Sequence, residues 1–272
     1  MTIALTTGTS ALTKRPAAGR AGYRQAVVSE WKKLMTLRST KVIFAITVVG
    51  TMLVTFLSTN GAAHHPPGWY AQGFDPTNQA MAGLSIGSLV LGVLGVLAIA
   101  GEYGSGTIRS SLSAMPRRET LFAAKATVVG LLTLVVGEIL SFGAFFFGQA
   151  VLSSGGAPHA TLGQPNVLRA VVLTGAFLSL FALLGLGLGF IIRHTAGAIA
   201  TFAGVTLLAP ILLHTLSGDP SKYTPAIIFA QSVSTVVPQS NELSATIGFM
   251  LMVVYCAGAL VVGAVLLAKR DA

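Results

Sequence analysis

The chain has 272 residues, of which 53% are hydrophobic and only 9% charged, with a mean hydropathy of +0.77. So little polar surface cannot cover a soluble globule of this size, and the composition points to an integral membrane protein. The net charge of +9 does not call for nucleic acid, because basic residues on a membrane protein report its orientation, and the one cysteine, Cys256 in an apolar run, excludes a disulfide framework or a Cys-based metal cluster.

Residues 1–21 are rich in Thr, Ala and Gly and hold no apolar run long enough for a signal peptide, which predicts a disordered cytosolic tail. Over residues 23–38, Val27, Trp31, Leu34 and Met35 recur at helical spacing while Arg24, Lys32 and Lys33 fall largely elsewhere, the pattern of an amphipathic interfacial helix. A first span is expected at about 42–59, short for the roughly 20 residues that a bilayer core needs. The connection 61–79 carries no Lys or Arg; its adjacent His64 and His65 point apart on any regular backbone and have no third ligand nearby, so no metal site is expected.

The second span, about 80–100, carries Gly83, Gly87, Ser88, Gly92 and Gly95, small residues that let another helix approach closely. The stretch 101–125, GEYGSGTIRSSLSAMPRRETLFAAK, is too polar for hydrocarbon. Gly104 and Gly106 permit a sharp reversal into a short helix over 107–114, and Pro116 is preset to open the next helix. It reads as a surface helix able to receive force from a soluble partner, or equally as a plain solvated connection. The third span, about 126–152, contains Glu138 near its middle and Gln149 further on.

After a Gly/Pro loop, the fourth span at 167–192 holds Gly185, Gly187 and Gly189, a packing face and not a phosphate loop, since no strand precedes it. Arg193 to Thr195 make a tight turn into the fifth span, 196–216, where Pro210 should kink the helix or end its regular part. The twelve apolar-leaning residues 226–237 are too few to cross, which predicts a re-entrant or surface-lying helix. The sixth span, 244–268, ends at Lys269 and Arg270.

Placing the N-terminus in the cytoplasm puts 15 of the 17 Lys and Arg residues inside: eight before the first span, four in the 101–125 loop, Arg193 and the last two. Only Arg169 and Lys222 fall outside, so six spans with both termini cytoplasmic is the expected topology. The chain contains no GK[ST], which argues against a P-loop motor, and no HExxH, CxxC or exposed Ser/His/Asp set with a common location, which argues against an intramembrane protease or hydrolase, so it is not expected to be an enzyme. A carboxylate at mid-span costs several kcal/mol by insertion scales, of order 3, unless it is paired, hydrated or protonated. Glu138 is therefore the default functional candidate, with a protonated, hydrogen-bonded role near Thr133 and Ser141 as the structural alternative. Arg169 starts its helix near the outer surface and is not expected to reach it.

The segments SEWKKLMTLRST, the 101–125 loop, FFFGQAVLS, ALLGLGLGFIIRHTAGAIA and the terminal KRDA together resemble the membrane subunits of type-2 ABC exporters, in particular a small six-span group common in actinobacteria. The resemblance implies an all-α permease domain over 22–272. It implies a connecting helix bearing Glu30, Trp31, Lys33 and Arg38, and a coupling loop bearing Glu102, Gly106, Thr107, Arg109, Pro116, Arg117 and Arg118. It further implies a re-entrant hairpin before the last span, ATP and Mg held by a separate ATP-binding subunit present in two copies, a second permease subunit, and a place in the cell membrane. Glu138 and Gln149 are the candidates for the substrate path. The competing expectation is a stand-alone secondary transporter or channel with Glu138 as the coupling carboxylate. The mostly apolar spans favour an amphipathic or hydrophobic cargo.

Overall fold

A computed structural model describes residues 22–70, 73–115, 117–217, 219–235 and 243–269. Among them there is no strand, and six helices are long and apolar enough to cross a membrane. The expected tail over 1–21, Pro116, Arg270 and the end of the 226–237 stretch lie outside the described residues.

Helix α1 covers Tyr23–Thr36 and is followed after Leu37 alone by α2, Arg38–Ala63. Leu37 is extended (φ −67°, ψ 126°), which breaks the helix and redirects the chain. Two corrections to the sequence reading follow. Arg38 belongs to the first turn of the first span and not to the preceding helix, and the span is 26 residues long, since the polar flanks 38–41 and 58–63 remain helical. The inward face of α1 is centred on Ala26, Glu30 and Leu34; Trp31, on the expected apolar line, is 44% exposed.

Short helices α3 (Pro67–Tyr70) and α4 (Pro76–Met81) lead into α5 (Leu84–Gly104). A 7-residue α6, Ile108–Ala114, follows a turn in which Gly106 takes φ +72°, a left-handed conformation that a side chain would strain. Helix α7 then runs for 37 residues, Arg118–Ser154. At 1.5 Å per residue that is about 55 Å, well beyond the ~30 Å hydrocarbon core, so its first turns stand outside the apolar layer. The extra length, missed when only the apolar stretch was read, carries Lys125 to α1 and Arg118 to the C-terminal end of the last helix.

Helix α8, Val167–Ile192, begins and ends where expected. It is the central post, packed by α5, α7 and the last helix, α12 (Ala245–Lys269). Its glycines are contact points: a Cβ on Gly185 would lie 2.1 Å from the Gly92 carbonyl of α5, and one on Gly95 of α5 would lie 1.8 Å from the Ala182 carbonyl. A Cβ on Gly187 would press on Ala259 of α12. The small-residue faces of the second and fourth spans are thus spent on each other within one chain. Gly83 and Gly87 meet Thr51 and Thr55 of α2, part of an inward ridge of Thr47, Thr51, Thr55 and Thr59 at four-residue spacing, all 0% exposed.

The fifth span is interrupted. Helix α9 (Thr195–Ala203) passes through a π-helical segment, Gly204–Leu208, into α10 (Ala209–Ser217). Pro210 has no N–H to donate, and the widened turn immediately before it takes up the strain expected there as a kink. A 3-10 turn, Asp219–Tyr223, and α11 (Pro225–Val233) follow, α11 lying against α12 and α8 and too short to span. The last helix, α12, is Ala245–Lys269. Cys256 within it is 3% exposed and its thiol donates to the Leu180 carbonyl of α8.

Candidate functional site

At the basic end of the bundle, where α1, α5, α6 and α7 converge, four charged side chains close into a ring. The Lys125 ammonium of α7 lies 2.6 Å from Glu30 Oε2 of α1 and 2.7 Å from Glu102 Oε1 of α5. The Lys33 ammonium of α1 lies 2.8 Å from Glu30 Oε1 and 3.1 Å from Glu102 Oε1. Cations and anions alternate around the ring, so each carboxylate separates two ammonium groups.

Every ammonium proton has an acceptor. Lys125 donates to Glu30, Glu102 and the Ala98 carbonyl, and Lys33 to Glu30, Glu102 and Ser111 Oγ. An ammonium has three donors, so both lysines are saturated. Ser111 of α6 passes its own proton on to Glu102 Oε2 at 3.3 Å. Burial opposes the charge on Lys33, but the hydrogen bond and charge of Glu30, reinforced by Glu102, outweigh it and raise its pKa.

Burial makes this arrangement consequential. Glu30 is 3% and Lys125 2% exposed. An isolated charge so buried would cost several kcal/mol, and it is tolerated only because partners with good geometry replace water. The ring therefore fixes the angle at which α1 and α6 meet α5 and α7. Packing supports it: Ile108, Ser111 and Met115 face inward from α6 and its end, and the Tyr23 hydroxyl of α1 meets Thr127 Oγ1 of α7 at 2.7 Å.

The remaining coupling-loop residues divide into two groups. Arg109 and Arg117 are exposed and make no ion pair among the described residues, and Thr107 is exposed at the start of α6. Arg118, in contrast, donates to the Leu267 carbonyl at 2.9 Å and Arg193 to the Leu266 carbonyl at 2.9 Å, so both satisfy the orphan carbonyls at the C-terminus of α12. Arg193 adopts φ +59° to make the α8 to α9 reversal, and its guanidinium sits over Tyr103 at 5.2 Å. The site thus unites Glu30 and Lys33, which sequence reading had placed on the connecting helix, with Glu102, which it had placed in the coupling loop. It also adds Lys125 as the hub and Ser111 as the link to α6. A lone carboxylate at 30 between the apolar positions 26 and 34 was the available sign of a buried charge.

The two span candidates sit elsewhere. Glu138 is half-buried on α7 with its carboxyl against the Gly175 backbone of α8, and no hydrogen bond or ion pair reaches it among the described residues. Thr133 and Ser141 direct their hydroxyls to the Val129 and Val171 carbonyls, and Arg169 donates to the Ser234 carbonyl. Gln149 is 7% exposed with both ends of its amide in use, donating to the Pro76 carbonyl and accepting from the Ala160 N–H. It stitches α7 to α4 and to the loop after α7.

At the opposite end, Asp75 caps α4 by accepting from the Thr77 and Asn78 amides, and it also accepts from the Thr235 amide at 2.7 Å and the Thr235 hydroxyl at 2.9 Å. The end of α11 is thereby pinned to the start of the second span. His65 stacks on Trp69 at 4.3 Å in an aromatic group with Tyr70 and Phe74.

Six helices long and apolar enough to cross a membrane, with a peripheral N-terminal helix and a loop helix locked into one charged joint at one end, define a multi-pass membrane protein. The chain belongs to the ABC-2 family of transporter proteins, whose family pattern matches residues 26–209, from α1 through the π-helical segment. No curated protein matches the chain.

Proposed function

We propose that this chain is the permease subunit of an ATP-driven exporter, coupled through α6 and α1 to a separate ATP-binding subunit. Two copies of that subunit would bind ATP and Mg, and a second permease, identical or different, would complete the assembly in the cell membrane. In this reading the basic end, with both chain termini, faces the cytoplasm and the anionic lipid there, in keeping with the distribution of Lys and Arg. The observation that carries the reading is the buried Glu30–Lys125–Glu102–Lys33 ring beside an α6 whose outer face offers Arg109 unpaired. A ring of this kind makes α1, α6 and the ends of α5 and α7 move as a block. A push on α6 is then passed to the second and third spans and biases a two-state membrane dimer. Arg109 and Arg117 suit an acidic patch on the partner, whereas Arg118 is spent on α12.

The test is nucleotide hydrolysis by the purified complex. Arg109→Glu should lower cargo-stimulated ATPase activity while leaving expression and membrane insertion unchanged; full stimulation in this variant would count against α6 as the contact. A second reading, an ion-coupled transporter working alone, is favoured by the unpartnered carboxylate of Glu138 in the third span. Ion-driven uptake into liposomes by the chain alone, abolished in Glu138→Gln, would support it and displace the first.

A further inference from the structure

The basic end of the bundle carries two charged surfaces of different character. On α6 and the start of α7, Arg109 and Arg117 stand among Ser, Thr and Gly, and no large apolar side chain is exposed among the described residues 101–130. On α1 and the first turn of α2, Arg24, Lys32, Arg38 and Lys41 are all exposed, and none forms an ion pair among the described residues. Tyr23, Val28, Trp31 and Leu37 are exposed between them. The sole carboxylate of residues 22–41, Glu30, is turned inward and closed into the ring. The outer side of α1 thus offers cations that nothing neutralises, set in an apolar surface.

Two contacts fix how this side is held. Tyr23 meets Thr127, and Glu30 meets Lys125. Tyr23 and Glu30 are about 10 Å apart along α1, whereas Thr127 and Lys125 are only about 3 Å apart along α7. Helix α1 therefore lies across α7, close to the bilayer plane, at the level where the sequence of α7 passes from polar to apolar. Arg24, Val28, Trp31 and Lys32 recur at i, i+4, i+7 and i+8 and share one face, and Arg24, Val28 and Lys32 line one open groove along it. Beyond the bend at Leu37 the exposed side continues through Arg38 and Lys41 to Val42, Ile46, Val49 and Leu53, the outer face of a span. An acidic soluble surface would match the cations alone, whereas the boundary of an anionic bilayer suits the cations and the apolar side chains together.

We infer that the outer side of α1 and the first turn of α2 form a docking surface for anionic phospholipid of the bilayer. Lipid phosphates lie against Arg24, Lys32, Arg38 and Lys41, and Val28, Trp31 and Leu37 sit at the top of the acyl chains. The two basic surfaces then have different partners: α6 faces the ATP-binding subunit, while α1 serves the joint through its inner, Glu30 side and is seated on lipid by its outer side. The block formed by the ring gains a pivot in the headgroup layer, so lipid charge bears on the joint. This deepens the proposed function by naming the partner of α1. The test contains no ATP-binding subunit, so the two proposals fail separately.

The experiment reads the lipid composition around Trp31 by fluorescence. The chain has two tryptophans, so Trp69→Phe, at the opposite end, leaves Trp31 as the only indole. This full-length variant is placed in phosphatidylcholine bilayers containing a minority of phosphatidylglycerol. Two preparations have identical composition and differ only in which lipid carries bromines near the top of its acyl chains: the phosphatidylglycerol, or an equal amount of the phosphatidylcholine. Each cation beside an anionic surface is worth about fivefold in lipid preference. Quenching of Trp31 should therefore show phosphatidylglycerol preferred by at least about tenfold. Arg24→Gln/Lys32→Gln should lower that preference by at least about fivefold while brominated phosphatidylcholine still quenches, and Arg109→Gln should leave it unchanged. Equal quenching by the two brominated lipids, or a preference that survives Arg24→Gln/Lys32→Gln, would overturn the inference. Quenching by neither lipid would also overturn it and assign this side of α1 to a protein partner or to water.

Discussion

Removing the ammonium at the centre of the joint should be far more damaging than removing any exposed charge. In Lys125→Met the side chain keeps nearly the same volume but the ring loses the cation that sits 2.6 Å from Glu30 and 2.7 Å from Glu102. Lys33 alone must then neutralise two carboxylates, one of them 3% exposed, with Glu30 Oε2 left without its donor. Breaking a buried ion pair from one side costs about 3–5 kcal/mol, because the desolvation of the remaining charge is no longer offset. At ~2–4 °C per kcal/mol for a chain of this size class, the melting temperature should fall by roughly 6–20 °C.

The companion variant Glu30→Met/Lys125→Met removes one charge of each sign and leaves the Lys33–Glu102 pair intact. It should be more stable than Lys125→Met, with a coupling of at least ~1.5 kcal/mol in the double-mutant cycle. The assay is the thermal midpoint of the detergent-solubilised chain followed by size-exclusion chromatography. A loss below about 1 kcal/mol in the single variant, or additive effects in the cycle, would refute the reasoning that the ring is a buried and mutually dependent unit.

Gly95→Ala and Gly185→Ala should each abolish monodisperse protein, since the added methyl would lie 1.8 and 2.1 Å from backbone oxygens of the facing helix; Gly204→Ala, where a Cβ meets nothing within 4 Å, should run as a single peak like the parent. Asp75→Ala should cost about 1–2 kcal/mol through the lost cap of α4 and raise hydrogen exchange over 225–235, where the carboxylate holds Thr235; unchanged exchange there would mean the link is incidental. Arg118→Ala should fray the last turn of α12 by freeing the Leu267 carbonyl, seen as faster exchange over 264–269 with the first span unaffected.

What the sequence disclosed depended on the range over which each signal acts. The fourth span was legible to the residue because its ends coincide with changes in polarity, a Gly/Pro loop before Val167 and Arg193 after Ile192. The first and third spans were underestimated because hydropathy marks the stretch that belongs in hydrocarbon, while a helix continues into water wherever neighbours support it. The first turns of α7, held by Arg118 and Lys125, are of this second kind. The threonines at 47, 51, 55 and 59 were legible at helical spacing and went unread; they mark the face of α2 that packs inward. The ring was beyond local reading, since Lys125 finds partners 95 and 23 residues away and only the folded chain brings them to one point. The break in the regular helix at Pro210 was legible in the sequence, and its form, a π-helical turn just before a residue with no N–H, was not.

The most direct test of the account is a photoreactive amino acid placed at position 109, on the exposed face of α6, with position 161 in the loop after α7 as the control. Cross-linking in intact cells followed by mass spectrometry should give an adduct from position 109 that contains a P-loop peptide of an ATP-binding protein, and none from position 161. The account is contradicted if position 109 yields no such adduct, or if a membrane-impermeant reagent added outside the cell reacts with a cysteine placed there.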